Sequence, residues 1–266
     1  MGLGYIYTGR LNVANTMHQY LLLLLFALSI NLQASECQSI KVNGPSGWEP
    51  VSYRGADGQL SGMAVEVANR VFSQLRVELK FGPKLPWKRQ LYQLENGTID
   101  LIIAAYFNDD RDKRFVYSEP YHIEKISIFV HRDRVFEFQN LDNLKGKIGL
   151  RPLGGTYGNH FDKFAKDNLS IREYSDAGSN IHRIYQGHED YVILALLDGL
   201  ISAKKYGHYS KVIPLPKEVA KLPIHFLLSK KSPCIKLIER INPILTNLKS
   251  SSFTKNIEEK YLRQLE

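Results

Sequence analysis

Arg111 stands in the stretch 104–121, AAYFNDDRDKRFVYSEPY, just beyond an apolar run (Leu101, Ile102, Ile103) that reads as a buried strand. A guanidinium presents planar donors that match two carboxylate oxygens at once. Open α/β sheets bind ligands at the carboxyl ends of their strands, so an arginine here is placed to grip an acid. The plainer alternative is a solvated charge, because Asp109, Asp110, Asp112, Lys113 and Arg114 surround it. Trp48 and Trp87, the only tryptophans, fall in loops at the predicted carboxyl ends of strands in the first half. Aromatic faces enclose apolar stems and stack on cations or planar groups; they also anchor cores beneath Pro-rich loops. Farther along, Gly154-Gly155-Thr156-Tyr157-Gly158 precedes a helix expected from Asn159. Such a turn lets backbone amides converge on an anion at a helix N-terminus. Thr156 adds a hydroxyl there, and Arg151 just upstream adds a second cation.

Catalytic arrangements are missing from the sequence. It contains no Gly-x-Ser-x-Gly elbow, no phosphate loop ending in Lys-Ser/Thr and no HExxH. The eight histidines are dispersed, and His160, His182 and His188 have no metal-ligand spacing. Glu124, Glu189 and Asp198 are the acids available for proton transfer, in no recognisable pattern. The expectation is therefore a binding cleft without metal or cofactor. The formal charge of +8 comes from scattered Lys and Arg mixed with acids. No basic block or nucleic-acid motif accompanies it, so the charge reads as solubility with mild attraction to anionic solutes or headgroups.

Residues 20–30, YLLLLLFALSI, are too short to span a bilayer and suit the core of a signal peptide. Small residues Ala34 and Ser35 follow, which predicts a leader over 1–34 and export to the periplasm; a retained anchor helix is the alternative. Met17 opens a compact MHQYLLLLL signal and is the expected start, a hypothesis that an uncleaved precursor beginning at Met1 would refute. Glu36 before Cys37 argues against a lipoprotein. Loss of the leader removes Arg10 and no acid, leaving +7 (+8 minus 1). The two cysteines, Cys37 and Cys234, stand at opposite ends of the remainder. In an exported chain an even count favours a disulfide; two free buried thiols are the other possibility.

These residues need a scaffold, and the hydrophobic periodicity supplies one. Strand patterns at 39–42, 77–81 and 99–105 alternate with helical patterns at 62–75 and 87–94, a β-α-β-α-β order implying a parallel sheet covered on both faces. The Gly-Pro-Ser-Gly-Trp-Glu-Pro segment at 44–50 reads as irregular loop. LENGTIDLII (94–103) and IYQGHEDYVI (184–193) share a helix end, a Gly, two residues, an Asp and a buried strand. Gly97 and Gly187 would take the left-handed position after their helices. Two such blocks suggest two similar lobes. Further strands are expected at 126–130, 147–150 and 224–228, and amphipathic helices at 235–248 and 253–265. Lobe 1 would comprise 36–129 plus 226–266 and lobe 2 residues 130–225, with ligands favouring the junction.

Together, LSGMAVEVANRVF, PWKRQLYQLENGTIDLI, the R-x6-SEPY text from Arg111, LDNLKGKIGL followed by GGTYG, and QGHEDYVI resemble family 3 extracellular solute-binding proteins. These are the periplasmic receptors of polar amino-acid importers, and the resemblance covers nearly all of the chain past the leader. It implies a two-lobed α/β fold of periplasmic-binding-protein type II with a hinge of two crossing strands. It also implies a monomer that closes on a small solute and delivers it to the membrane permease of an ABC transporter. Aromatic residues near Trp48 and Trp87 would wall the ligand, and Arg111 would take its carboxylate. Tyr106 and Asn108 replace the family's run of a small residue, Thr, any residue and Thr, whose hydroxyl and backbone bind ligand. Thr156, Gly155, Tyr157 and Arg151 would face them from lobe 2. One departure concerns the aspartate that holds the ligand's ammonium about five residues past the second-lobe Asp. Counting from Asp190, that position is Ala195, and the neighbouring acid is Asp198. Burial of an unpaired ammonium costs several kcal/mol, so within the expected class of small carboxylate-bearing solutes, amino acids or related organic acids, an ordinary α-amino acid is disfavoured and an organic acid or other modified solute gains weight. The rivals on this scaffold are a cyclohexadienyl dehydratase-like periplasmic enzyme and a ligand-sensing receptor subunit.

Overall fold

The structure, a computed structural model, describes residues 1, 4, 37–174, 177–263 and 265. The leader expected over 1–34 lies outside the described residues apart from positions 1 and 4. Residues 1–36 form a unit of their own, and the fold is that of the unit Cys37–Glu266.

The first parallel block consists of β1 (Ser39–Asn43), helix α1 (Met63–Leu75), β5 (Glu78–Phe81), helix α2 (Trp87–Asn96) and β6 (Leu101–Tyr106). α1 forms because Met63, Ala64, Val67, Ala68, Val71, Phe72 and Leu75 recur on one face, and all of them are buried. β6 is buried at every position, as a central strand covered on both faces must be. β1 lies between β5 and β6, with Ser39 opposite Glu78 and Val42 opposite Leu101.

A second block repeats the arrangement with β9 (Ile148–Pro152), α4 (Asn159–Asn168), β10 (Ser170–Tyr174), α5 (Ala177–Gln186) and β11 (Tyr191–Ala195). The repeated sequence text has a common physical meaning. Gly97 and Gly187 both take left-handed backbone, with φ of 83° and 81°. Asp100 and Asp190 then each clasp the neighbouring strand. The Asp100 carboxylate accepts from the Lys41 amide at 2.9 Å while its own amide donates to the Lys41 carbonyl at 3.0 Å. Asp190 does the same with Ile148, at 2.7 and 2.8 Å.

Two ten-residue strands, β8 (His122–His131) and β13 (Ala220–Ser229), join the blocks. They pair antiparallel with each other from Ala220 opposite Ile126 to Ile224 opposite His122. The far end of β8 then pairs with β11 and that of β13 with β6. The result is a two-lobed α/β fold threaded by one ladder, in the order β10-β9-β11-β8-β13-β6-β1-β5. β7 (Phe115–Tyr117) and β12 (Val212–Pro214) add to β13 and β8. Helices α7 (Ile238–Ser250) and α8 (Phe253–Leu262) return to the first lobe, where Ile241, Leu245 and Ile257 share a core with Val67 and Phe72.

Two segments differ from the expectation. Residues 44–50 are not wholly irregular: β2 (Gly47–Trp48) pairs with β3 (Ser52–Arg54), which pairs with β4 (Leu60–Ser61). Pro45 and Pro50 flank the paired positions instead of occupying them, so no ladder amide is lost. The loop after β6 contains a short helix, α3 (Asp109–Arg114), and it carries Arg111. Cys37 and Cys234 are bonded, with Cα atoms 5.3 Å apart, linking the start of β1 to the turn after β13.

Candidate functional site

Where β6 ends at Tyr106, Asn108 starts α3 by capping it. Its Oδ1 accepts from the amides of Asp110 at 3.0 Å and Arg111 at 3.2 Å, two donors that the helix itself leaves without partners. Arg111 then points inward and is only 8% exposed. Its Nη1 donates to the Tyr106 carbonyl at 3.2 Å, and its Cζ lies 5.1 Å from the Trp87 ring centre. Trp87 is the first residue of α2 rather than part of a loop. The Tyr117 hydroxyl braces the turn, donating to the Tyr106 carbonyl at 3.1 Å and accepting from the Asn108 amide at 3.2 Å.

The second lobe closes directly onto this arginine. Arg111 Nη2 donates to the Gly154 carbonyl at 3.1 Å. Gly154 has φ of +71°, and a Cβ there would sit 3.1 Å from Trp87 Cδ1, so the lobes approach at backbone level. Two further contacts cross the seam: the Asp109 amide to Asn159 Oδ1 at 3.3 Å, and Lys205 to Glu49 at 2.7 Å. Among the described residues no carboxylate pairs with Arg111. Burial lowers its pKa, opposed by the nearby Tyr117 and then by Asp162, as for a cation taken from water without an anion. Arg114, three residues on, is the contrast: exposed to solvent on one side, it forks onto Glu95 at 3.0 and 2.7 Å.

The other second-lobe candidates are engaged internally. Arg151 holds Glu173 at 2.6 Å and Asp162 at 3.4 Å. Thr156 donates its hydroxyl to Asp162, which also accepts from the Tyr157 amide at 3.2 Å. The Gly155 amide turns back onto the Pro152 carbonyl at 2.9 Å. Tyr157 is buried, with its hydroxyl on the Ile193 carbonyl and its ring edge-on to Phe161. The structure thus gathers Trp87, Asn108, Arg111 and the Gly154 turn at one point of the seam. It leaves Arg151 and Thr156 bound to Asp162 in this closed arrangement.

A second cluster lies at the other end of Tyr106. The Trp48 ring meets the Tyr106 ring at 4.7 Å and 61°, and the Tyr106 hydroxyl donates to the Glu124 carboxyl. Glu124 comes from β8. Burial, opposed chiefly by the hydrogen bond from Tyr106, pushes its pKa up to about 8. Asp198 enters from the first turn of α6 (Leu196–Lys205), which Ala195 caps. It is 4% exposed, its Oδ1 has no hydrogen-bond partner among the described residues, and burial followed by the charge of Glu124 drives its pKa well above the usual carboxylate range. Tyr106 and Tyr157 are likewise raised, first by burial.

Among the described residues, no group of three or more His, Cys, Asp or Glu side chains gathers as metal ligands. The arrangement can bind charge at both ends: a desolvated cation at one, two desolvated carboxyls at the other. The sequence named Glu124 and Asp198 without assembling them. Strand parity was the available signal, since His122, Glu124 and Ile126 alternate inward along β8. Asp198 is brought in by the helix, whose first-turn side chains lean back toward the N-terminus.

A two-lobed α/β fold with its charged side chains in the seam defines a class of hinged binding proteins. The profile of the bacterial extracellular solute-binding proteins, family 3, matches residues 40–264, and the chain belongs to that family. It is 28% identical over 162 residues to the L-cystine-binding protein TcyJ of Escherichia coli (strain K12). That alignment covers 59% of this chain and 59% of that protein, so the match spans well under two thirds of the relative. It is 24% identical over 222 residues to the probable amino-acid-binding protein YxeM of Bacillus subtilis (strain 168), covering 81% of this chain and 80% of YxeM. Among solved structures, an ancestral arginine-binding protein bound to arginine superposes with a TM-score of 0.69 at 24% identity. It covers 84% of this chain and 98% of that one, a likeness of fold. Both curated relatives are named as binding proteins.

Proposed function

We propose that the chain captures a small carboxylate-bearing solute, an amino acid or a related organic acid, by closure of its two lobes. The bound solute would be delivered to the permease of an ABC transporter. The observation that carries this reading is the buried Arg111 guanidinium at the seam, without a carboxylate partner among the described residues and held by two backbone carbonyls. Charge-assisted bonds to a carboxylate are about twice as strong as bonds to neutral acceptors. An incoming acid would therefore relieve the desolvated cation and, through the Gly154 contact, favour the closed form. Trp87 and Trp48 would wall the cleft, and Tyr106 and Asn108 would shape it. The reading includes lobes of 36–129 plus 226–266 and 130–225, a cleaved leader over 1–34, a periplasmic location and a monomeric state. The amino-acid and cystine binders among the relatives support the solute class.

Calorimetric titration of the mature chain with a panel of small carboxylates tests the reading. Arg111→Ala is expected to weaken binding of the best ligand at least tenfold, about 1.4 kcal/mol, with an unchanged circular dichroism spectrum. Equal affinity in the variant would remove Arg111 from the site.

A further inference from the structure

The turn that faces Arg111 across the seam carries a carboxylate of its own. Asp162, in the first turn of α4, reaches back past the start of its helix. There its carboxylate accepts the Thr156 hydroxyl, the Tyr157 amide at 3.2 Å and Arg151 Nη1 at 3.4 Å. A hydroxyl, a backbone amide and a guanidinium converging at a helix N-terminus are the donors that a carboxylate from outside would use. Here the chain supplies the carboxylate itself. Thr156 is buried, and its oxygen also accepts the Gly158 amide at 3.3 Å, which fixes the hydroxyl in this arrangement.

The plainer account is a first-turn acid that stabilises its own helix. Glu66, the first-turn acid of α1 in the other lobe, behaves differently: it turns outward to Lys260 at 3.5 Å. Asp162 instead draws on donors that lie before its helix and on the neighbouring strand β9. Arg151 is shared with Glu173 of β10 at 2.6 Å. Glu173 in turn accepts the Gly154 amide at 3.3 Å, and the Gly154 carbonyl takes Arg111 at 3.1 Å. One polar chain therefore runs from Arg111 through Gly154, Glu173 and Arg151 to Asp162. Gly154 and Thr156 are two positions apart, so their Cα atoms lie within about 8 Å. Asp162 and Glu173 around the single Arg151 guanidinium leave this trio with a net negative charge.

We propose that Asp162 sets the charge class of the solute: it fills the second lobe's anion seat, so the closed cleft takes one carboxylate, at Arg111, and rejects a second. This rests on the proposed carboxylate-binding reading and narrows it to solutes with a single carboxylate. A second carboxylate would meet a turn whose hydroxyl, amide and guanidinium are already occupied. It would also approach two fixed anions beside a seam that buries Arg111, where like charges repel more strongly than in water. The donors that the sequence offered to the solute are the ones that Asp162 holds.

Matched pairs of acids of equal length test this: butanoate beside butanedioate, pentanoate beside pentanedioate, and L-norvaline beside L-glutamate. Each pair differs by one distal carboxylate, and affinities are read by calorimetry on the mature chain at neutral pH. In every pair with a binding member, the parent is expected to hold the two-carboxylate compound at least tenfold more weakly than its partner. Asp162→Ala, which vacates the seat, should raise the ratio of two-carboxylate to one-carboxylate affinity at least tenfold. Asp162→Asn removes the charge but keeps an acceptor, and should raise the ratio less, by threefold or more. Adding Arg151→Ala to Asp162→Ala should cancel most of the gain, because the vacated seat then lacks its cation. Melting curves accompany each variant, and Asp162→Asn decides the question should the alanine variant fail to melt cooperatively. Equal binding of both members by the parent, or a ratio that a folded Asp162 variant leaves unchanged, overturns the role of Asp162 and spares the carboxylate reading. Failure of every probe to bind the parent at millimolar concentration overturns both.

Discussion

Glu124 and Arg111 are both charged in water and both buried here, and the protein treats them oppositely. A guanidinium stays protonated at any physiological pH, so Arg111 must find acceptors, and it takes two carbonyls. A carboxyl can instead shed its charge. Burial pushes the pKa of Glu124 up to about 8, with the hydrogen bond from Tyr106 opposing the rise and Glu258 adding repulsion. Its neighbour Asp198 moves in the same direction, with Glu49 and Lys205 as further charges nearby. A raised folded-state pKa means that the unfolded chain loses its proton first. The stability contribution is therefore complete below the ordinary carboxylate range, near pH 4, and declines as pH climbs toward 8. One such group gives a slope of at most about 1.4 kcal/mol per pH unit. The ligand-free protein should melt at progressively lower temperature from pH 5 to pH 8. Glu124→Gln, which cannot ionise, should flatten that decline and raise the melting point at pH 8. Parallel curves for variant and parent would show that Glu124 is not held neutral.

At the scale of elements, the site is a set of strand ends and helix starts held in register by short polar contacts. α3 has six residues, too few to persist on propensity alone. Asn108 supplies the closure that fixes Arg111 in position. Asn108→Ala should cost about 1 kcal/mol of stability and weaken carboxylate binding although the residue need not touch the ligand. Asn108→Asp, which keeps the acceptor, should restore both, as read by urea denaturation and calorimetry. An alanine variant with the parent's stability and affinity would remove the cap from the account. The elements themselves were readable where periodicity was long: α1 and β6 declare their apolar faces, and the Gly-x-x-Asp blocks announce matching turns. α3 was not, because DDRDKR has no apolar stripe and owes its form to the cap and to the inward arginine. The length of β8 was also hidden, since HIEK interleaves polar residues that face the cleft rather than solvent on one side.

At the scale of the molecule, the sequence predicted two lobes, and the structure adds that one ladder passes through both. Residues on β8 and β13 belong to neither lobe alone, so Glu124 lies on a strand that pairs with both halves of the ladder. The contact of Arg111 with the Gly154 carbonyl has no local sequence pattern, because it joins positions far apart in the chain through the closing of the seam. The other long-range tie is covalent. Cys37 and Cys234 are separated by 197 positions, so their bond closes most of the described chain into one loop. By the chain-entropy relation a loop of that size restricts the unfolded state by about 5 kcal/mol, with measured effects for native bridges commonly about 2–5 kcal/mol. Both cysteines anchor the same lobe, at the start of β1 and the turn after β13, so the bond does not cross the hinge. Replacing both by serine should therefore lower the urea midpoint strongly while leaving solute affinity within twofold of the parent. The parent under strong reductant should match the variant, and the variant itself should be insensitive to reductant. A parent whose midpoint does not move on reduction would mean that the bond contributes nothing to stability, and a variant with greatly weakened binding would mean that the staple shapes the cleft as well as the fold.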